Sequence, residues 1–236
     1  MTRTTNARLA GFMFLFYIAT GIAGMVLFRP ATSGETPAAK LASVAQHVTL
    51  MRVAGVYSVL MMMNPLVLAV ALYALTRDYD RDLALLALLC RVTEGVIGGG
   101  MSAITNRALL SVATTAVGAA GTNAAAANAL GDVLLKSEGM ITLIAATAFA
   151  IGSTLYCYLF LRARTIPVSL SWLGVIASVL LVVGLPLQMA GFIEGLVTAL
   201  MWIPMAVFEV AFALWLLIKG VAAQPAQAGG ATWHSV

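Results

Sequence analysis

The chain has 236 residues, of which 61% are hydrophobic and only 9% are charged, and its mean hydropathy is +0.99. Soluble domains carry about 25% charged residues, so this chain has too few polar side chains to cover a water-facing surface. Disorder requires low hydrophobicity and nucleic-acid binding requires clustered basic residues, so a soluble globule, a disordered chain and a nucleic-acid binder are all excluded. The partner that the composition indicates is the lipid bilayer.

Six segments are long and apolar enough to cross a membrane as helices, which takes about 20 mostly apolar residues. The predicted fold is therefore all-α, a polytopic bundle of six transmembrane helices. Although Arg3 and Arg8 precede the first span, its apolar run exceeds the 7–15 residues of a signal peptide, so we expect the span to be retained. The six spans cover residues of about 9–28, 53–75, 83–105, 139–161, 170–193 and 196–218.

Two long connections carry signals for further helices. Thr36 followed by Pro37 is typical of a helix start, and an amphipathic helix on the outer face is predicted to follow. The alanine-rich residues 106–137 are expected to form one or two further short helices. Residues 1–220 form the predicted transmembrane domain, and residues 221–236 a disordered tail. The apolar face of the first predicted helix consists of Leu41, Val44, Val48 and Met51.

The distribution of basic residues predicts the orientation, because Lys and Arg concentrate in cytoplasmic loops. Seven of them fall on the side of the termini and five on the opposite side, which favours a cytoplasmic N-terminus and C-terminus. The seven are Arg3, Arg8, Arg77, Arg81, Arg162, Arg164 and Lys219, and the five are Arg29, Lys40, Arg52, Arg107 and Lys136.

Three ionisable residues lie inside the predicted spans, where such groups are costly and mark candidate functional sites. Arg91 and Glu94 share one face of the third span, and Glu209 lies in the sixth. At 1.5 Å per residue, all three lie about 12–17 Å from the same membrane side. We therefore expect a buried charge cluster in which Arg91 and Glu209 touch. Gly95, Gly98 and Ser102 continue the face of the third span and allow close helix packing.

Three interpretations of this cluster remain open. The cluster binds or passes a small solute or ion, or it is a structural ionic lock within a non-catalytic scaffold or subunit, or the protein is a membrane-embedded enzyme. Asn64, Ser102 and Gln188 are candidate residues for the lining of a polar cavity. The sequence does not define a substrate or an oligomeric state.

Several kinds of chemistry lack their residues. The two histidines, His47 and His234, lie outside the predicted spans, so bis-histidine haem ligation is excluded. Cys90 and Cys157 lie in apolar segments without metal-ligand or disulfide spacing. No nucleophile elbow or phosphate-binding loop occurs. We therefore predict no catalytic residues, metal site or cofactor.

Several stretches of the chain resemble one family. Arg91-Val92-Thr93-Glu94 in the third span and the ending Glu209 … Trp215 … Lys219-Gly220 are the most specific of these stretches. They resemble the six-span bacterial membrane proteins catalogued as domain of unknown function 4386, and the similarity covers roughly residues 7–220. The resemblance implies six spans in a bacterial cytoplasmic membrane and supplies no activity.

Overall fold

The computed structural model describes residues 2–117 and 121–222, and the predicted disordered tail lies outside these residues from position 223 onward. Six helical stretches within them are long and apolar enough to cross a membrane, which confirms the predicted fold. A 3₁₀ turn, Arg29–Thr32, follows the first helix, and a π-helical segment, Val96–Met101, joins the fourth to the fifth. The helices are α1 (Arg3–Phe28), α2 (Pro37–Gln46), α3 (Val48–Thr76), α4 (Arg81–Gly95), α5 (Ser102–Ala116), α6 (Thr122–Ala163), α7 (Val168–Met189), α8 (Leu196–Leu200) and α9 (Ile203–Ile218).

The third and fourth spans are longer than their apolar stretches. The prediction of separate short helices over residues 106–137 is wrong, because α5 continues the third span and the first turns of α6 extend the fourth. Alanine has the highest helix propensity, so these alanine-rich residues extend each helix beyond its apolar part. The structure therefore places Glu138 inside a helix of 42 residues.

The helix predicted after Thr36 is present and caps the bundle. The Thr36 side chain accepts a hydrogen bond from the Ala39 backbone N–H, as expected of an N-cap residue. Leu41 and Val44 are buried against α5 and α6. Gly131 permits this packing, since a Cβ there would lie 1.8 Å from the Leu41 Cδ1. The predicted helix ends at Gln46, so Val48 and Met51 belong to α3.

The two ends of the bundle differ. At one end, here called the terminal end, the Arg3 guanidinium donates to the Tyr79 hydroxyl at 3.0 Å and the Ala222 N–H donates to the Thr165 carbonyl at 2.9 Å. These contacts tie both ends of the described chain to the α3–α4 and α6–α7 connections. At the other end, the α2 end, α2 packs across α5 and α6.

The six spans form a ring in the order α1, α3, α4, α6, α7, α9, in which each span packs against its two neighbours. The third and sixth spans therefore lie on opposite sides of the ring. Towards the terminal end, apolar side chains fill its interior. Phe212 lies at the centre of this core, with Phe14, Phe160 and Phe208 each at a ring-centroid distance of 5.3–5.5 Å.

Candidate functional site

A cavity of about 400 Å³ occupies the half of the ring nearer the α2 end. Five of the six spans contribute to its walls, and the Phe212 core lies one helical turn from Glu209, at its floor. Small-molecule sites enclose about 300–1,000 Å³, so the volume suits a small solute. The walls combine aromatic and carboxyl side chains: Tyr17, Tyr57, Phe149, Trp202, Glu94, Glu138 and Glu209.

Arg91 and Glu94 form the buried ion pair that their spacing predicts. The Arg91 Nη1 donates to Glu94 Oε2 at 2.8 Å, and both side chains are at least 96% buried. The Tyr17 hydroxyl of α1 donates to the second carboxylate oxygen, Oε1, at 3.0 Å. Both oxygens of Glu94 therefore have a partner, and the group links α1 to α4.

Aromatic rings surround the arginine. The Arg91 guanidinium lies 4.6 Å from the centroid of Phe149 and 5.6 Å from that of Phe14. Cation–π contacts of this kind stabilise a desolvated arginine. Arg91 is not among the residues that line the cavity, so its charge is used within the protein.

Glu209 lines the cavity from α9 and forms no ion pair with any residue of 2–117 and 121–222. It is 8% exposed, and its Oε1 has no hydrogen-bond partner among the described residues. The expected contact with Arg91 is not formed in this part of the chain, because the ion pair of Arg91 is with Glu94. Matching depth was the basis for that expectation, but α4 and α9 lie on opposite sides of the ring.

A third carboxyl group, Glu138, which is not among the residues predicted from the sequence, also lines the cavity. Its Oε1 accepts a hydrogen bond of 2.5 Å from the Ser102 hydroxyl, and its Oε2 has no partner in residues 2–117 and 121–222. Glu138 lies about 16 Å along α6 from Phe149, towards the α2 end. Glu138 lies one residue before the fourth predicted span, in the alanine-rich extension of that helix, which hydropathy alone does not distinguish from a connection.

Glycines of the third span let other helices approach closely. A Cβ at Gly99 would lie 2.6 Å from the Ser58 carbonyl of α3, and one at Gly95 would lie 2.8 Å from the Met62 carbonyl. A Cβ at Gly98 would meet the Ala145 Cβ of α6 at 3.2 Å. The π-helical turn that contains Gly98 and Gly99 widens the span at the cavity, and such turns are frequent at functional sites.

The candidate cavity residues divide into two groups. Ser102 lines the cavity, whereas Asn64 and Gln188 are absent from its walls. Asn64 is only 2% exposed, and both polar atoms of its amide lack a partner in the described parts of the chain. Gln188 Oε1 is likewise buried without a partner there. Each amide lies near a proline inside a helix: Asn64 directly precedes Pro65, and Gln188 follows Pro186 by two residues.

The ring of six apolar helices, with a cavity in its interior that three carboxyl side chains help to line, defines a polytopic α-helical membrane protein. The sequence profile of the family described as domain of unknown function (DUF4386) matches residues 9–220. The chain therefore belongs to this family, which confirms the resemblance of its motifs. No curated protein and no solved structure matches the chain.

Proposed function

We propose that this protein binds a small solute or ion in the cavity between its helices, which the side chains of Glu94, Glu138 and Glu209 help to line. The observation that carries the proposal is the Glu209 carboxyl at the cavity floor, whose Oε1 has no hydrogen-bond partner among the described residues. Buried polar groups are costly without a partner, and intramembrane ionisable groups mark substrate and ion pathways. The packed aromatic core around Phe212 lies between the floor of the cavity and the terminal end.

A structural role is the second candidate for part of the cluster. The Tyr17–Glu94 hydrogen bond joins α1 to α4, and the Arg91–Glu94 pair is fully buried. These contacts fit a polar lock that fixes two helices in register. The lock accounts for Arg91 and Glu94 but leaves Glu209 and the Oε2 of Glu138 without a role, and solute binding accounts for these two groups.

Binding to the cavity can be tested with three small solutes of similar shape and different charge: tetramethylammonium, pivalate and tert-butanol. We expect at least one to bind saturably to the protein in lipid nanodiscs, as measured by calorimetry. Gly98→Leu should abolish this binding, because a leucine side chain fills the cavity beside Ala145. Gly55→Leu is the matched control, since Gly55 has open space around it and lies outside the cavity. Binding of none of the three solutes, or binding that survives Gly98→Leu, contradicts the proposal.

We further propose that the protein lies in a bacterial cytoplasmic membrane, as the family resemblance implies, and that its terminal end faces the cytoplasm, as the seven-to-five distribution of basic residues predicts. Labelling of single cysteines with an impermeant maleimide tests the orientation in a Cys90→Ser, Cys157→Ser background. Glu35→Cys at the α2 end should be labelled in intact cells, and Asp78→Cys at the terminal end only after lysis. Both residues are exposed. The reverse pattern means the opposite orientation.

A further inference from the structure

We propose that the cavity recognises a small organic monocation, an amine or a quaternary ammonium group, and that Glu209 is its counter-ion. This inference rests on the proposed function, since it assigns the class of solute that the cavity binds. Three observations carry it: the pairing of the charged groups, the aromatic walls and the residues available as ligands.

The pairing of Arg91 with Glu94 leaves the cavity with a formal surplus of negative charge. Arg91 neutralises Glu94, and Tyr17 occupies the remaining oxygen of that carboxylate. Glu209 is 92% buried, lines the cavity and has an oxygen without a partner among the residues described. Glu138 adds a second unpartnered oxygen nearer the α2 end. A cation bound in the cavity would balance the charge of the Glu209 carboxylate.

The guanidinium that an anion would need is inaccessible. Arg91 is 1% exposed and lies between Phe14 and Phe149, with Glu94 on its Nη1. It is absent from the cavity walls. A carboxylate or phosphate ligand would therefore have to displace Glu94 from a buried pair, which leaves that carboxylate uncompensated.

The walls favour an organic cation over a metal ion. Trp202, Tyr17 and Tyr57 line the cavity, and aromatic faces, tryptophan above all, attract amine and quaternary ammonium groups. Divalent cations such as calcium instead require six to eight oxygen ligands in one shell. In residues 2–117 and 121–222, no three His, Cys, Asp or Glu side chains converge in a group that could hold a metal ion.

The test compares choline with 3,3-dimethyl-1-butanol, which has the same shape with carbon in place of the charged nitrogen. We expect calorimetry in nanodiscs to show that choline binds at least about tenfold more tightly, because only its charged nitrogen is attracted by the Glu209 carboxylate and by the aromatic faces. Glu209→Gln should remove most of this difference, because the amide keeps the shape of the side chain and loses its charge. Glu194→Gln, the same substitution at an exposed turn outside the cavity, should leave it unchanged.

The outcomes separate the two proposals. Equal binding of choline and its neutral analogue, or binding of pivalate alone, overturns the monocation assignment and leaves the solute-binding function intact. Failure of every solute to bind overturns both. A charge preference that persists unchanged in Glu209→Gln shows that Glu209 is not the counter-ion. If Glu209→Gln does not fold, the comparison of the two ligands on the unmodified protein still decides the charge preference, and Trp202→Leu against Trp202→Phe tests the aromatic wall.

Discussion

Arg91→Ala is expected to lower the free energy of unfolding by about 3–5 kcal/mol, because it leaves the Glu94 carboxylate buried without its cationic partner. Arg91 is fully enclosed, and its guanidinium contacts Phe14 and Phe149 as well as Glu94. Unfolding of the purified protein by denaturant in mixed micelles measures this loss.

Arg162→Ala is the matched control. Arg162 also pairs with a carboxylate, Asp80, but at 3.5 Å and with 58% of its side chain exposed. Exposed ion pairs contribute about 0–1 kcal/mol, so this substitution should change stability little. An equal loss for Arg91→Ala and Arg162→Ala would mean that the buried pair contributes no more than a surface pair.

The partner of Arg91 is identified by a double-mutant cycle. Adding Glu94→Gln to Arg91→Ala should recover part of the loss, since the Glu94 side chain then carries no uncompensated charge, and the coupling should exceed about 0.5 kcal/mol. Adding Glu209→Gln instead should give a smaller coupling, because no ion pair joins Arg91 to Glu209 in the described residues. The opposite order of the two couplings would contradict the pairing in the structure.

The six spans are predictable from sequence because they depend on composition alone. A run of about 20 apolar residues has few alternatives to a membrane-crossing helix, and the start of α2 at Pro37 follows from a local capping signal. Helix ends are harder to predict where hydropathy and helix propensity differ. Residues 106–116 and 122–138 are less apolar than the spans but remain helical, and for that reason Glu138 is not predictable as a residue of the fourth span.

The charge cluster is predictable only in part, for a related reason. Spacing along one helix determines that Arg91 and Glu94 share a face, so their pairing follows from sequence. Depth in the membrane is common to Arg91 and Glu209, but the order of helices around the ring is set by packing between distant segments. That order places α4 opposite α9, and the predicted contact is not formed. The absence of Asn64 from the cavity walls was also not predictable. Hydropathy does not define the rotation of a helix about its axis, so it does not show which side chains face the cavity.

The central claim is that an aqueous and cation-selective cavity reaches into the bundle. The rate at which a cysteine in the cavity wall is chemically modified tests this claim most directly. Ala146 lies in the cavity wall, whereas Ala150 lies one turn further along α6 in the closed core and is 0% exposed. The two variants to compare are Ala146→Cys and Ala150→Cys. Both are made in the Cys90→Ser, Cys157→Ser background. The reagents are trimethylammonium-ethyl and sulfonato-ethyl methanethiosulfonate, which carry opposite charges and do not cross lipid.

We expect Ala146→Cys to react and Ala150→Cys to remain unmodified. The ratio of cationic to anionic reagent rates at Ala146→Cys should exceed the ratio at the exposed Asn123→Cys at least about tenfold, because a negative cleft raises the local cation concentration. Equal ratios at positions 146 and 123 would contradict cation selectivity. An Ala146→Cys that reacts no faster than Ala150→Cys would contradict the cavity itself.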